Sequence, residues 1–207
     1  MGNTFNDKDR MQFLMFSYFN TTELKVEPAS NRAYRDLCRT LRGLNGKGKD
    51  YRKYVNKEIL NKDNIEPLFN ANSQKDFNEK HKALCDKLVD YYKNQCYFSY
   101  GHAQKWVNMT MKYLYVFGDE SEDKFKYMHM PLDSYIFKAL DNEKIECPKG
   151  SNKWSDLKWS QLKRDEYIAC QEKIQQQIPE KKHTQLSWEF EQWLMIAQNK
   201  QTTKPQE

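Results

Sequence analysis

The apolar positions recur with helical spacing along most of the chain. Tyr34, Leu37, Cys38 and Leu41 stand at i, i+3, i+4 and i+7, which predicts a helix from Arg32 to Leu44 capped by Ser30 or Asn31. Gly43, Gly46 and Gly48 break it, and Asp50 restarts a basic helix that runs to Asn61. A polar connector, Asn61 to Ser73, precedes an amphipathic helix from Gln74 to Asn94 with Phe77, His81, Leu84, Cys85, Leu88 and Tyr92 along one face. The aromatic connector from Cys96 to Gly101 leads into a helix from His102 to Phe117, whose packing stripe is Ala103, Val107, Thr110 and Leu114. Beyond it come an acidic loop from Gly118 to Asp123, a helix starting after Pro131, and a turn at Pro148 to Ser151. A helix capped by Ser160 or Asp156 and stopping at Pro179 follows, and then an amphipathic helix from Leu186 to Asn199. The aromatic and methionine-rich run MQFLMFSYFN, ending at Asn20, reads as buried. Neither β alternation nor a repeat is visible. The expectation is a mainly α fold, a helical bundle forming one domain over residues 1–199, with a polar tail at 200–207.

Composition agrees. Gly and Pro number only 7 and 6 in 207 residues, so elements are long and turns few. Aromatic residues make up 14% of the chain, too many for a disordered segment. No window approaches 18 consecutive apolar residues, and MGNTFNDKDR lacks the apolar centre of a secretory leader. Asn6 stands where a myristoylation motif needs Ser or Thr. Five scattered cysteines without a CxxC read as reduced thiols of a cytoplasmic protein, where the acceptor patterns at Asn20 and Asn108 carry no meaning.

The net charge of +5 says little, but its distribution says more. Ten basic residues between Arg32 and Lys62 face only Asp36, Asp50 and Glu58, so the rest of the chain is net acidic. Such a block is a candidate phosphate-facing surface, with Arg35, Arg39, Arg42, Arg52 and Lys53 as its contacts. The alternative is a solvated face of a helical hairpin.

The densest chemistry lies at Gly101-His-Ala-Gln104-Lys105-Trp106-Val-Asn108, with Lys112 beyond, and at Pro131-Leu-Asp133-Ser-Tyr. Lys105, Asn108 and Lys112 share a helix face by spacing. The partial positive charge of a helix N-terminus lowers the pKa of a nearby lysine, which a nucleophilic amine requires. Pro131 presets a helix start and places Asp133 in the first turn, where the backbone amides keep its carboxylate ionised.

The Gln104-Lys105 pair, Lys112 and the Pro131-Leu132-Asp133 element together resemble the helix-hairpin-helix DNA glycosylases. The closest likeness is to the archaeal-type 8-oxoguanine glycosylase/lyase group. The match spans residues 101–140, with an echo at Trp193-Leu194-Met195-Ile196-Ala197. The resemblance implies a two-lobed helical fold, DNA as partner, Lys105 as Schiff-base nucleophile and Asp133 as catalytic aspartate. It implies a base pocket built from Gln104, Trp106, Asn108, Lys112 and Trp193, with Tyr97 and Trp188 behind, and no metal or organic cofactor. The family's Leu-Pro-Gly-x-Gly hairpin is replaced by Phe98-Ser99-Tyr100-Gly101, which leaves Gly101 as the candidate backbone anchor.

Three other readings compete. His81 and Cys85 at i, i+4, with Cys96 and His102, supply zinc-type ligands. The scaffold could serve a non-catalytic DNA-binding or anti-phage defence module. It could also be a structural helical domain whose basic block docks an acidic protein.

Overall fold

A computed structural model describes residues 6–118, 122–148, 150–178 and 184–202 of the chain. It is mainly helical, and the isolated bridge between Arg42 and Tyr97 is the one β-type pairing among the described residues. The helices are α1 (Asp7–Phe19), α2 (Val26–Leu37), α3 (Gly48–Tyr54), α4 (Lys62–Phe69) and α5 (Gln74–Tyr92), followed by α6 (Tyr100–Phe117), α7 (Ser134–Asn142), α8 (Arg164–Gln177) and α9 (Gln185–Thr202). No described helix is long and apolar enough to cross a membrane.

α6 is the axis of the molecule, with 14 buried residues from Tyr100 to Leu114. Ser99 caps it, accepting from the His102 amide while the His102 ring accepts from the Ser99 amide. The expected stripe of Ala103, Val107, Thr110 and Leu114 is buried. α2 crosses α6 at its small residues, Ala29, Ser30 and Ala33, all fully buried. Trp106 closes that contact by donating its indole N–H to the Ser30 hydroxyl and carbonyl at 2.9 and 3.1 Å. α5 packs on another side of α6 through the very face its periodicity marks, from Phe77 to Tyr92.

Several boundaries differ from the periodic reading. Ser30 lies inside α2 rather than capping it, because its hydroxyl is committed to Trp106 and to the Asn56 side chain at 2.6 Å. α2 therefore begins at Val26, tolerating Pro28 in its first turn, and ends at Leu37 in a 3₁₀ turn. The basic helix is α3 continued by a π turn, Val55–Ile59, whose wider register buries Val55, Asn56 and Ile59 together. The polar connector contains α4, capped by Asn61 and carrying Pro67 inside. α8 starts later than expected, at Arg164 after Lys163, and its end at Gln177 precedes Pro179, which lies outside the described residues. Part of the acidic loop and tail residues 203–207 also lie outside them, while Lys200 to Thr202 continue α9.

The largest departure is α1. It is a well-capped helix, but only Phe19 is buried, while Met11, Phe13, Leu14, Phe16 and Tyr18 are exposed. The physical reason is that α1 packs on the body along one side only, through half-buried Met15 and its C-terminal end. Phe19 meets Tyr113 and Phe117 edge-on there, and no described residue buries Phe13 or Phe16.

A polar network threads the core between α5, α6 and α8. His81 Nε2–H donates to Asn108 Oδ1 at 2.8 Å, and Asn108 Nδ2 donates to the Tyr167 hydroxyl at 3.0 Å. Tyr167 donates to His129 Nδ1 at 2.8 Å, and His129 Nε2–H ends the chain on Asn78 at 2.9 Å. This order of donors fixes both rings as the neutral Nε2–H tautomer. Burial lowers the pKa of His81 and of His102 to about 4, and that of His129 well below the usual histidine value.

Histidines held neutral in the fold titrate near 6.5 once unfolded. Stability is therefore full above that pH and falls as pH drops below it, by roughly 1.4 kcal/mol per histidine per unit. Glu189, raised to about 7, acts in the opposite sense but is one group against three. Urea unfolding is expected to show a clearly lower midpoint at pH 5 than at pH 7. A midpoint that held or rose would contradict the neutral assignment.

Candidate functional site

The segment Met128 to Asp133 crosses α6 on its way to α7, and its position is fixed by side chains rather than by a strand. Gln104 holds both backbone groups of Leu132, donating to its carbonyl at 3.1 Å and accepting from its N–H at 3.3 Å. Asn108 and Gln171 both donate to the Met130 carbonyl, at 3.3 and 3.2 Å. These clamps deliver Asp133 to the start of α7, where it is the N-cap. Its Oδ1 accepts the amides of Tyr135 and Ile136 at 2.9 and 3.0 Å.

The other carboxylate oxygen, Oδ2, accepts from Lys105 Nζ at 2.7 Å, with side chains only 7% and 15% exposed. Burial alone would raise the Asp133 carboxyl, but the Lys105 ammonium and the two amides outweigh it and hold it below the ordinary carboxylate value. Lys105 also lies over the half-buried Trp159 ring, 4.9 Å from its centroid. Lys105 is six residues past the Ser99 cap, so the field of the helix terminus, confined to the first turn, is not what sets its chemistry. Asp133 and Trp159 are its immediate electrostatic neighbours.

A second buried pair stands two turns further along the same face of α6. Lys112 Nζ is 2.8 and 2.7 Å from the two carboxylate oxygens of Glu189 on α9. Its ammonium also faces the rings of Phe190 and Trp193, at 5.6 and 5.5 Å. Burial pushes the Glu189 carboxyl up to about 7 against the pull of Lys112, and the nearby Asp133 charge adds to the rise.

Both pairs line one cavity of about 570 Å³. α6 forms its floor with Lys105, Met109, Lys112, Tyr113 and Val116, and α1 contributes Leu14 and Tyr18. α2 contributes Arg32, Arg35, Asp36 and Arg39, and α9 contributes Glu189, Phe190 and Trp193. Arg32 stacks over Tyr18 at 3.8 Å and pairs with Asp36. Arg35 and Arg39 are exposed at the rim. Five cations against three carboxylates leave the cavity net basic, with Arg35 and Arg39 at its rim, while much of its wall is apolar, from Leu14 and Met109 to Phe190 and Trp193.

Of the residues marked in the sequence, Lys105, Asp133, Lys112, Trp193, Arg35 and Arg39 meet at this cavity. The others do not. Gln104 and Asn108 are buried in the clamp network and face away from it, although spacing put Asn108 on the lysine face. Trp106, expected to hold a base, is fully buried against Ser30 and Tyr34 and is core. Gly101 is no backbone anchor: its N–H donates to the Leu162 carbonyl at 3.0 Å, and a Cβ there would collide with the Trp159 carbonyl. Arg42 and Lys53 are exposed elsewhere, and Arg52 lies 5.6 Å from the Tyr34 ring. Tyr97 is exposed and Trp188 half-buried, both outside the lining. The zinc reading fails on partners. His81 and His102 spend their ring nitrogens on Asn108, Ser99 and Thr40, and no described group of three or more metal-type ligands converges.

Sequence reasoning missed Arg32, Tyr18, Trp159 and Glu189. Glu189 had a legible signal, being a carboxylate within the apolar stripe Leu186, Phe190 and Trp193 at i, i+3, i+4 and i+7. Arg32, Arg35 and Arg39 likewise share one face by spacing. No protein-family profile, curated protein or solved structure matches this chain.

A buried ion pair is costly to break from one side, because the partner charge is left uncompensated, by about 3–5 kcal/mol. Lys105→Met and Asp133→Asn are each expected to lower unfolding stability on that scale. The double variant should lose clearly less than the sum, since it leaves no uncompensated charge in the site and Asn can still cap α7. Strict additivity in urea denaturation would show that the two groups do not interact in the folded protein.

Proposed function

We propose that this chain is a bifunctional DNA glycosylase and abasic-site lyase, a two-lobed helix-hairpin-helix type protein that acts in the cytoplasm on a damaged or modified base of the 8-oxoguanine kind. One observation carries the reading: an amine on α6 lies 2.7 Å from a carboxylate at the mouth of α7, on the wall of a basic cavity of about 570 Å³. That space lies within the range of small-molecule sites, and the exposed Arg35 and Arg39 at its rim suit the phosphates of a strand.

In this reading the target nucleotide leaves the stack and enters the cavity beside Trp193. Its sugar displaces the Lys105 ammonium from Asp133. The ammonium proton goes to the departing base, the freed amine attacks C1′, and the C1′–N bond breaks, so the positive charge passes to the new C–N adduct. Asp133, held ionised by the α7 amides, stabilises that charge. Ring opening moves a proton from the adduct nitrogen to O4′ and leaves the Schiff base. Water then takes a C2′ proton, the electrons of that C–H bond form the C2′–C3′ double bond, and the C3′–O bond breaks as the 3′ phosphate leaves. No cofactor enters this sequence.

A second reading, a DNA-binding module without chemistry that could serve defence against foreign DNA, is favoured by a different observation. Both cavity lysines are already paired with buried carboxyl groups, Asp133 and Glu189. Borohydride trapping separates the two, using duplexes that carry 8-oxoguanine or an abasic site. Wild type is expected to give a covalent adduct and Lys105→Ala none, with Lys105→Gln and thermal melting as a check on folding. Asp133→Asn should still bind but turn over at least roughly 100-fold more slowly. An equal adduct from wild type and Lys105→Ala would reassign the nucleophile, and no adduct on either lesion would leave the binding module.

A further inference from the structure

The two rim arginines have a third member of their row inside the cavity. Arg32, Arg35 and Arg39 follow one face of α2 and its 3₁₀ extension at i, i+3 and i+7, and all three line the cavity. Arg35 and Arg39 are exposed, whereas the Arg32 side chain is only 25% exposed. The row of cations therefore runs from open solvent into the enclosed space.

Arg32 is held as a flat plate. Its guanidinium stacks on the Tyr18 ring at 3.8 Å, and the Tyr18 hydroxyl lies 3.3 Å from that of Tyr113. Its donors, however, are poorly matched. The groups beside it are the neutral Tyr113 hydroxyl and the Asp36 carboxylate. Asp36 Oδ1 is 3.8 Å away, too far for a hydrogen bond. Asp36 Oδ2 is engaged instead by the Tyr113 hydroxyl, which donates to it at 2.5 Å. The Nε–H group of Arg32 is shut off from water and has no partner among the described residues. A cation this enclosed is ordinarily matched by acceptors.

Stacking on a ring fixes the plane of a guanidinium and leaves its edge open. That is the presentation with which arginine grips a phosphate through two parallel N–H···O bonds. The neighbouring cations of the row, about 4.5 and 6 Å apart along the helix, match the repeated charge of a strand better than a single carbonyl. We infer that Arg32 is a phosphate fork inside the cavity. It takes a phosphate flanking the extruded nucleotide, while Arg35 and Arg39 take those further out. The inference deepens the nucleic-acid-binding part of the function proposed above and is independent of the chemistry at Lys105.

The test is a coupling measurement by fluorescence anisotropy on the full chain. The probe is a duplex carrying a tetrahydrofuran abasic-site analogue, which binds without turnover. In two further duplexes a neutral methylphosphonate replaces the phosphate on the 5′ or the 3′ side of the analogue. For wild type, one of the two replacements is expected to weaken binding roughly tenfold or more, the scale of a hydrogen bond to a charged group. Arg32→Gln should weaken binding to the unmodified duplex by a similar factor and make that replacement silent. Arg32→Lys should recover only part of the loss, since it keeps the charge without the stacked fork. Thermal melting of both variants checks the fold. Methylphosphonate penalties that are the same in wild type and Arg32→Gln at both positions overturn the inference alone. So does an Arg32-dependent competition by deoxyguanosine 5′-monophosphate without coupling to the strand, which would make the fork a site for a free nucleotide. A wild-type chain that binds none of the duplexes removes the underlying reading as well.

Discussion

Both backbone groups of Leu132 are held by a single side-chain amide, that of Gln104, and the geometry of the site descends from that contact. A loop without strand partners has no ladder to fix its register, so its buried N–H and C=O groups must be satisfied by side chains. Here Gln104, Asn108 and Gln171 do so from two helices. Asn108 is in turn held by His81 and Tyr167. The carboxylate of Asp133 is therefore placed by a buried network reaching from α5 to α8, and the ion pair with Lys105 is its outcome.

The same network explains why the residues around the lysine divide into two roles. Lys105 and Lys112 project from α6 into the cavity, whereas Gln104 and Asn108 project into the protein and hold the loop that carries Asp133. Residues close in sequence thus serve adjoining faces of one helix. A substitution at Gln104 would act on the cavity through Asp133, as a positioning effect.

Much of the architecture was legible in the pattern of apolar positions. The buried face of α5 and the packing stripe of α6 follow from periodicity, because both are long helices against one core. The pairing of Lys105 with Asp133 was an expectation of the family resemblance and not of spacing, which says nothing about which side chains meet across two helices. What was not legible has specific causes. Ser30 reads as a cap until Trp106, far along the chain, is seen to claim its hydroxyl. Pro67 and the polar run around it conceal α4. The aromatic run of α1 reads as core because hydrophobicity does not say whether a neighbour exists to cover it. Trp106 and Trp193 are the same residue type with opposite environments, one sealed beneath α2 and one at a cavity rim.

The cavity holds two lysines, Lys105 and Lys112, each beside a carboxylate, and the account rests on only the first acting as nucleophile. Tandem mass spectrometry of the full chain reduced onto an abasic-site oligonucleotide locates the bond directly. The account predicts that the sugar remnant sits on Lys105. A remnant on Lys112 or on the N-terminal amine would contradict it.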